Sequence, residues 1–418
     1  MLFNYSIFTN IFKFKIKGEI YYMSNCIVAQ SGGPTSVINS SVVGLIQANK
    51  DLKVYDKIYG GLNGIEGILS GKIINLSDFN SKDIIDFKYT PSSGLGSCRY
   101  KMKEVSESTD EYDKLVKILK DLDIKTFYYI GGNDSMDTTA KLAKYSKENN
   151  LDINFVGIPK TIDNDLMYTD HTPGFGSAAK FIATSVLETY LDSSVYKNNG
   201  IFILETMGRD TGWLAASACA ARYFGEPVAD FIYLPEVTFD KDKFLKDVRA
   251  KFEEQNQVYI VASEGLRDKD GNFLTAIKSQ SHDNFNHVQL GGVASYLRQL
   301  ILEDGITSRV KALELGVLQR CAMHCASTTD VEEAFRAGYE ALKAGLNGKN
   351  GYMVAINRDS DFPYTISYSL VDSSKVANNV KYFPTEWINK EQNHVSKEAY
   401  QYFKPLVDGT PKYKIFTK

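Results

Sequence analysis

The feature that most constrains this chain is the regular alternation of short apolar runs with helical patterns of about ten to fifteen residues. β-Branched and aromatic residues fill the short runs, and each run ends at a turn rich in glycine or polar residues. Such alternation is typical of βαβ units, whose consecutive strands are parallel and whose helices cover the sheet. We therefore predict an α/β fold with largely parallel sheets.

The runs predicted to be buried strands are 26–30, 126–132, 153–159, 200–208, 230–236, 257–265 and 310–316. A helix carrying Val37, Val42, Leu45 and Ile46 should follow the first of them, and a helix through Leu142 should follow the second. No repeat of short period and no low-complexity segment interrupts the pattern. With 418 residues, the chain has room for two packed cores, or for one large α/β core with a smaller domain.

Composition argues against several classes of protein. The formal net charge is −3 and no dense Lys/Arg run occurs, which disfavours a nucleic-acid surface. No run approaches the ~20 apolar residues of a membrane-spanning helix. Five cysteines without a C-x-x-C pair favour a reducing, cytoplasmic compartment over a disulfide framework. Cys321, His324 and Cys325 lack a usual zinc spacing, so a helix-face contact in the core is the better interpretation.

The first 22 residues mix aromatic residues with lysines and lack the apolar stretch and cleavage site of a signal peptide. Met23 is followed by SNCIVAQSGG, which begins like a domain. We therefore expect residues 1–22 to be an extension, and translation to begin at Met23.

Unusual polar residues follow several predicted strands. Gly-Gly ends one strand, and the segments PKTIDND (159–165), MGRDTGW (207–213) and EG (264–265) follow others. Ligands of open α/β sheets collect beyond the carboxyl ends of the strands. We therefore predict that these segments form one site.

PKTIDND carries the strongest chemical signal. Asp163 and Asp165 should point the same way in extended or turn backbone, with Lys160 close in sequence. One carboxylate can accept a proton from an attacking hydroxyl, and the lysine can offset charge on a transferring phosphoryl group. A solvated acidic turn is the alternative, and the motif alone does not exclude it.

Basic residues at other strand ends extend this interpretation. Arg209 offers a planar fork for phosphate, although an ion pair with Asp210 is the simpler reading of that position alone. Arg99 and Lys101 follow a Gly-Leu-Gly turn, and Arg320 follows the last predicted strand.

The segment YYIGGNDSMDT (128–138) poses a question. A Gly-Gly turn at a helix start usually cradles a phosphate, yet Asn133 and Asp134 follow it, and the aspartate should repel an anion. Either the loop binds no phosphate, or it binds one through a cation and excludes another.

Seven motifs together resemble the phosphofructokinases, in the order seen in that family. They are AQSGGPTSVIN, GLGSCRYK, IGGNDSMDT, PKTIDND, ETMGRDTGWLA, ASEG and LGVLQR. The resemblance runs from about Cys26 to about Val331, and the C-terminal quarter looks like the family's closing helices. The lysine before TIDND and the second acid in the Gly-Gly loop resemble the motifs of the pyrophosphate-dependent branch of this family. ATP-dependent members carry glycine at the position of Asp134 and lack the lysine, so the resemblance implies that Asp134 excludes a nucleotide α-phosphate.

The resemblance implies two Rossmann-like domains with mostly parallel sheets and an active site in the cleft between them. The implied phosphoryl-donor domain comprises residues 23–174 and 319–370, and the sugar-phosphate domain comprises 175–318 and 371–418. The implied reaction is reversible transfer of a phosphoryl group from pyrophosphate to the 1-hydroxyl of fructose 6-phosphate, with Mg²⁺ as cofactor. A homodimer or homotetramer is also implied.

Roles are carried over position by position. Asp163 matches the proton acceptor, and Lys160, which would hold the donor, and Asp134, which would exclude a nucleotide, complete the implied catalytic set. Gly32 would donate its N–H to the donor phosphate. The remaining donor contacts would be Gly33, Arg99, Lys101, Gly132 and Ser135. The sugar-phosphate contacts would be Thr161, Ile162, Asp163, Met207, Gly208, Arg209, Glu264, Lys311 and Arg320. Asn133 and Asp165 would bind Mg²⁺.

Three departures from the family pattern leave alternatives open. Asn133 stands where many members have a metal-binding aspartate; Lys311 and Gly200 stand where arginines usually come from the neighbouring subunit; and Val317 stands where histidine is common. Another sugar phosphate, such as sedoheptulose 7-phosphate, is therefore a possible acceptor. The rival functions are an ATP-dependent phosphofructokinase and a non-catalytic regulatory subunit of such an enzyme.

Overall fold

The computed structural model describes residues 13–16, 19–22, 24–196, 199–275 and 290–415. The expected start at Met23 lies outside these ranges. Within them, no helix is both long and apolar enough to cross a membrane.

The described strands fall into four sheets. They are β1 (Lys13–Ile16), β2 (Glu19–Tyr22), β3 (Asn25–Gln30), β4 (Ile58–Gly61), β5 (Ile73–Asn75), β6 (Ile124–Gly131), β7 (Asn154–Pro159), β8 (Ile201–Thr206), β9 (Arg222–Tyr223), β10 (Glu226–Pro227), β11 (Phe231–Tyr233), β12 (Val258–Ser263), β13 (Val310–Glu314), β14 (Tyr352–Asp361) and β15 (Tyr364–Asp372).

The α-helices follow the strands in alternation through most of the chain. They are α1 (Ile38–Leu52), α2 (Gly64–Leu69), α3 (Ser81–Lys88), α4 (Asp110–Asp121), α5 (Asn133–Glu148), α6 (Phe175–Ser193), α7 (Trp213–Ala216), α8 (Lys241–Gln255), α9 (Val293–Glu303), α10 (Leu318–Cys321), α11 (Thr328–Leu346), α12 (Ser373–Val376) and α13 (Lys397–Phe403).

The larger sheet has the order β15-β14-β7-β6-β3-β4-β5. Its inner strands are parallel, and β15 and β5 pair with it antiparallel at the two edges. Side chains alternate between the faces: Tyr128 and Ile130 pack with α1 and α11, whereas Phe127 and Tyr129 pack with α2, α4 and α5. Both faces are therefore covered, which explains why these strands read as continuous apolar runs.

The smaller main sheet has the order β11-β12-β8-β13 and is entirely parallel. Its alternation is equally regular: Ile203 and Ile260 face α8 and α9, whereas Leu204 and Val261 face α6 and α7. Two antiparallel pairs, β1–β2 and β9–β10, lie outside both large sheets.

The predicted α/β class with mostly parallel sheets is confirmed, and each of the predicted strands is present. The prediction for the C-terminal quarter was partly wrong. After α11 the chain does not continue in helices but forms the β14–β15 hairpin, which extends the larger sheet. In β15, alternate residues are exposed because one face and one edge of the strand meet solvent.

Candidate active site

The carboxyl ends of the parallel strands bring the predicted loops together. Gln30 of β3 lies opposite Ile130 of β6, and Gly131 lies opposite Pro159 of β7. In the smaller sheet, Thr206 of β8 lies opposite Ser263 of β12. The loops that follow these strands line a cleft of about 420 Å³. Its walls are Ser31, Gly32, Gly33, Arg99, Gly132, Asn133, Asp134, Ser135, Lys160, Thr161, Asp163, Asp165, Met207, Arg209, Asp210, Glu264 and Val380.

Most of the predicted site residues therefore meet in one place, and five others do not line the cleft. Ile162 is buried in the hydrophobic core and Gly208 lies in the loop beneath Glu264. Lys101 is exposed. Arg320 lies just behind the cleft wall, since a Cβ built on Gly33 would be 3.5 Å from its Nη1.

Lys311 is the clear exception to this clustering. It pairs in register with Phe202 near the start of β8, so it lies towards the amino ends of the strands and lines a different cavity. Its ammonium is 3.4 Å from Asp192, and its side chain is 62% exposed. Lys311 is thus not part of the cleft of its own chain.

Lys160 lines the cleft and is held there by two hydrogen bonds. Its backbone N–H donates to Gly131 O at 3.0 Å, and its Nζ donates to Gly33 O at 2.7 Å. The residue is only 3% exposed, and this burial lowers the pKa of the ammonium to about 8, against the opposing charges of Asp163 and Asp165. Gly32 makes the close approach possible: its φ is +75°, and a Cβ there would lie 3.3 Å from Nζ.

Asp163 and Asp165 both face the cleft from the loop after β7. The residue between them, Asn164, has φ +55° and is fully buried, so its backbone turns the loop there. Burial raises the pKa of Asp163 to about 7; the charges of Asp165 and Glu264 act in the same direction and Lys160 opposes them. Burial also raises the pKa of Asp165. A pKa near neutrality suits Asp163 to accept a proton from a bound hydroxyl at neutral pH.

Two predicted contacts of the donor loops disagree with the structure. The N–H of Gly32 already donates to Cys98 O at 2.9 Å, so its one hydrogen is not free for a donor phosphate. The amide of Asn133 is also engaged: Oδ1 accepts from Asn378 N at 2.6 Å, and Nδ2 donates to Asn379 O at 2.6 Å. Asn133 therefore holds a distant part of the chain in place, which weakens the prediction that it binds a metal.

Asp165 fits a hard cation better than Asn133 does. Within the described ranges its Oδ1 is buried without a hydrogen-bond partner, and such an unsatisfied carboxylate oxygen is a ligand that Mg²⁺ prefers. No group of three or more His, Cys, Asp or Glu side chains in the described part of the chain forms a metal site. This does not conflict with Mg²⁺, which keeps several waters and needs few protein ligands.

Asp134 occupies the first turn of α5. The partial positive charge of a helix N-terminus stabilises an anion there, and in this chain the anion is a side chain. The position that would otherwise attract a phosphate therefore carries a fixed negative charge at the edge of the cleft.

The opposite wall is formed by the loop after β8. The N–H of Gly208 donates to Glu264 Oε1 at 3.4 Å, and the N–H of Met207 donates to Gln319 Oε1 at 3.1 Å. Burial raises the pKa of Glu264, and the charge of Arg209 opposes this shift. Asp210 forms an ion pair with Arg267, in which Oδ1 of Asp210 is 2.9 Å from Nη2 of Arg267. Asp210 is therefore paired with Arg267 and not, as its place in the sequence suggested, with Arg209.

Three residues of this region were missed by sequence reasoning. Ser31 and Gln319 lie within the SGG and LQR motifs, but neither is charged or conformationally special, so the sequence does not distinguish them from their neighbours. Val380 lies far along the chain and carries no polar signal, so nothing in the sequence marks it. Together, a buried cation, a proton-accepting carboxylate and an opposing arginine suit transfer of an anionic group to a hydroxyl.

Comparisons with known proteins agree with this chemistry. A family model described as phosphofructokinase matches residues 25–345. A pyrophosphate–fructose 6-phosphate 1-phosphotransferase from Halomonas elongata is 38% identical over 390 residues, covering 92% of this chain and 92% of the relative. A relative of the same name from Xanthomonas campestris pv. campestris is 39% identical over 401 residues, covering 93% and 95%. The crystal structure of a pyrophosphate-dependent phosphofructokinase from Nitrosospira multiformis is 36% identical with a TM-score of 0.84, covering 94% of each chain.

Proposed function

This chain belongs to the phosphofructokinase family, and we propose that it transfers a phosphoryl group from pyrophosphate to the 1-hydroxyl of fructose 6-phosphate. The products are fructose 1,6-bisphosphate and phosphate. Because the phosphate bonds formed and broken are comparable in energy, the reaction should run in both directions. The observation that carries the proposal is the meeting of Asp134, Lys160 and Asp163 in one cleft.

In the proposed mechanism Asp163 accepts the proton of the 1-hydroxyl as its oxygen bonds to phosphorus. The bridging P–O bond of pyrophosphate breaks, and phosphate leaves with the electron pair. Lys160 offsets the charge on the transferring phosphoryl oxygens, where burial strengthens its effect. Arg209 would bind the sugar phosphate from the opposite wall.

A Mg²⁺ ion would be held by Asp165 together with oxygens of the donor. When bound, it would supply positive charge to the pyrophosphate oxygens. Asp165 and Lys160 would then both help to orient the donor in front of Asp163.

The domain division and the assembly also remain proposals. We propose that residues 23–174 with 319–370 bind the donor, and that 175–318 with 371–418 bind the sugar phosphate. Since Lys311 lies outside the cleft of its own chain, it could contact a sugar phosphate only from a neighbouring subunit, which favours a homodimer or homotetramer. A cytoplasmic location is proposed from the activity and from the cysteine content.

The direct test is a steady-state assay of the purified protein with fructose 6-phosphate and Mg²⁺, supplied with either pyrophosphate or ATP. We expect turnover with pyrophosphate, release of phosphate, and little or no turnover with ATP. Turnover with ATP alone would contradict the proposed donor. Turnover only with sedoheptulose 7-phosphate would contradict the acceptor, and inactivity with every pair would favour a regulatory subunit.

The pH dependence of kcat/KM should be bell-shaped. Asp163 must be unprotonated to accept a proton, so activity should rise with pH through its pKa of about 7. Lys160 must be protonated to offset charge, so activity should fall as pH rises through its pKa of about 8. The measurement is kcat/KM for pyrophosphate from mildly acidic to mildly alkaline buffers. In Lys160→Arg the alkaline limb should move to higher pH, because a guanidinium keeps its proton; an unmoved limb would refute the assignment.

A further inference from the structure

One segment near the C-terminus contacts both the start of α5, which carries Asn133, and the loop that holds the cleft carboxylates. We call residues 376–383 the C-terminal strap. Asn133 of the donor loop bonds to its residues 378 and 379, as described above, and Val380 lines the cleft. The strap therefore reaches the site, although of its eight residues, all of them described, only Val380 lines the cleft.

Lys381 makes the most extensive contacts of the strap. Its Nζ donates to Asn164 Oδ1 at 3.1 Å, to Thr169 O at 3.1 Å and to Asp170 O at 2.8 Å. Three acceptors use all three hydrogens of an ammonium, whereas a neutral amine has only two. In addition, the backbone N–H of Lys381 donates to Asp165 O at 2.8 Å. One residue thus holds both ends of the loop that follows the two cleft carboxylates.

The same residue connects this loop to the sugar-phosphate wall. Trp213 Nε1 donates to Lys381 O at 3.0 Å, and the Lys381 ammonium lies 5.1 Å from the centroid of the Trp213 ring. Two residues along, the N–H of Phe383 donates to Glu236 Oε1 at 2.9 Å, and the same oxygen accepts from Gly212 N at 2.8 Å. Gly212 ends the loop that carries Arg209.

We propose that Lys381 is a positioning residue for phosphoryl transfer, which fixes the Asp163–Asp165 loop relative to the donor and sugar-phosphate loops. The proposal rests on the proposed function. Lys381 does not line the cleft; it acts through the backbone carbonyls of Thr169 and Asp170 and the amide of Asn164.

The test compares Lys381→Met with Lys381→Arg. Methionine fills a similar volume but donates no hydrogen bond, so the loop loses its three-point contact. We expect kcat with pyrophosphate to fall by about 10- to 100-fold, the range expected for a small misplacement of reacting groups. KM for either substrate should change much less than kcat. Arginine keeps the charge but not the geometry, so the kcat of Lys381→Arg should lie between those of wild type and Lys381→Met.

Lys375→Met is the matched control, since Lys375 is an exposed lysine next to the strap, and the activity of this variant should be unchanged.

Two readouts do not depend on activity. The chain contains two tryptophans, Trp213 and Trp387, whose ring centroids are 6.2 Å apart, so tryptophan emission reports on the surroundings of Lys381. Its spectrum should change in Lys381→Met but not in Lys375→Met. Hydrogen exchange of residues 164–170 should become faster in Lys381→Met while exchange elsewhere is preserved.

Several outcomes would overturn the proposal. One is a folded Lys381→Met with wild-type kcat; another is unchanged exchange across residues 164–170. If Lys381→Met does not fold, the kcat of Lys381→Arg tests the proposal instead. A wild-type kcat in Lys381→Arg would then refute the positioning role of Lys381. If wild type itself shows no turnover with pyrophosphate, the proposed function fails, while the exchange measurement still tests the position of the loop.

Discussion

Replacing Asp163 by asparagine should lower kcat with pyrophosphate by about 10³- to 10⁴-fold, the upper range for loss of a general base. Asparagine has nearly the same shape but cannot accept the proton of the 1-hydroxyl at neutral pH. KM for both substrates should change little, because the substitution removes a proton acceptor and not a binding group. The measurement is the steady-state rate in both directions, since the same carboxyl group must return the proton in the reverse reaction.

Asp210→Asn is the matched control for this variant. Asp210 lines the same cleft, but it is paired with Arg267 and its side chain is 51% exposed. Its substitution should leave kcat within a few fold of wild type, since surface ion pairs contribute only about 0–1 kcal/mol. Equal losses in the two variants would contradict a special role for Asp163, and so would an Asp163→Asn enzyme with wild-type kcat.

Stability measurements separate loss of chemistry from loss of folding. Burial raises the pKa of Asp163, which means that the folded state disfavours the ionised carboxylate. A carboxyl group whose pKa is raised in the folded state contributes less to the free energy of unfolding as pH rises through that folded-state pKa. The free energy of unfolding of Asp163→Asn near neutral pH should therefore be no lower than that of wild type.

Much of the fold could be predicted because its signals are local. Each inner strand of the larger sheet is buried on both faces, so β3 and β7 appear in the sequence as short apolar runs between turns. The loops of the site were also local signals, since parallel strands place their carboxyl ends at one edge. Periodicity and the position of polar residues thus determined where Lys160 and Asp163 would lie.

The features that were missed depend on contacts between distant parts of the chain. Val380 and Lys381 follow the β14–β15 hairpin in the chain, and the pairing of β14 with β7 brings them near the loop of residues 160–165. Neither residue belongs to a pattern of its own. The hydrogen bond from Gly32 N–H to Cys98 O could not be predicted for the same reason. Cys98 lies 66 residues further along the chain, and only the fold brings the two residues together.

The electrostatics of the cleft explain why its cation and its carboxylates must be considered together. Burial favours the neutral forms of Lys160 and Asp163, and their mutual attraction favours the charged forms. The result is two groups whose pKa values, about 8 and about 7, both lie close to neutrality. Groups poised in this way can gain and lose protons during turnover, and a change to one of them alters the other.

The double variant Asp134→Gly/Lys160→Gly should lose activity with pyrophosphate and gain activity with ATP. Loss of the buried ammonium removes the positive charge that offsets the phosphoryl oxygens and that favours the ionised form of Asp163, so kcat/KM for pyrophosphate should fall by roughly 10²- to 10³-fold. Loss of the carboxylate at the start of α5 frees a helix N-terminus to bind an α-phosphate. Turnover with ATP should therefore become measurable above that of wild type, and the assay is the same steady-state measurement with each donor in turn.

Single variants at Asp134 distinguish charge repulsion from steric exclusion as the cause of discrimination against ATP. Asp134→Asn removes the charge but keeps the volume of the side chain, whereas Asp134→Gly removes both. If repulsion excludes ATP, both variants should gain turnover with it; if the side chain blocks the space, only the glycine variant should. Lys160→Arg serves as the control for charge, and it should retain more activity with pyrophosphate than Lys160→Gly. A double variant that remains folded, loses pyrophosphate turnover and gains none with ATP would show that Asp134 and Lys160 do not select the donor by exclusion.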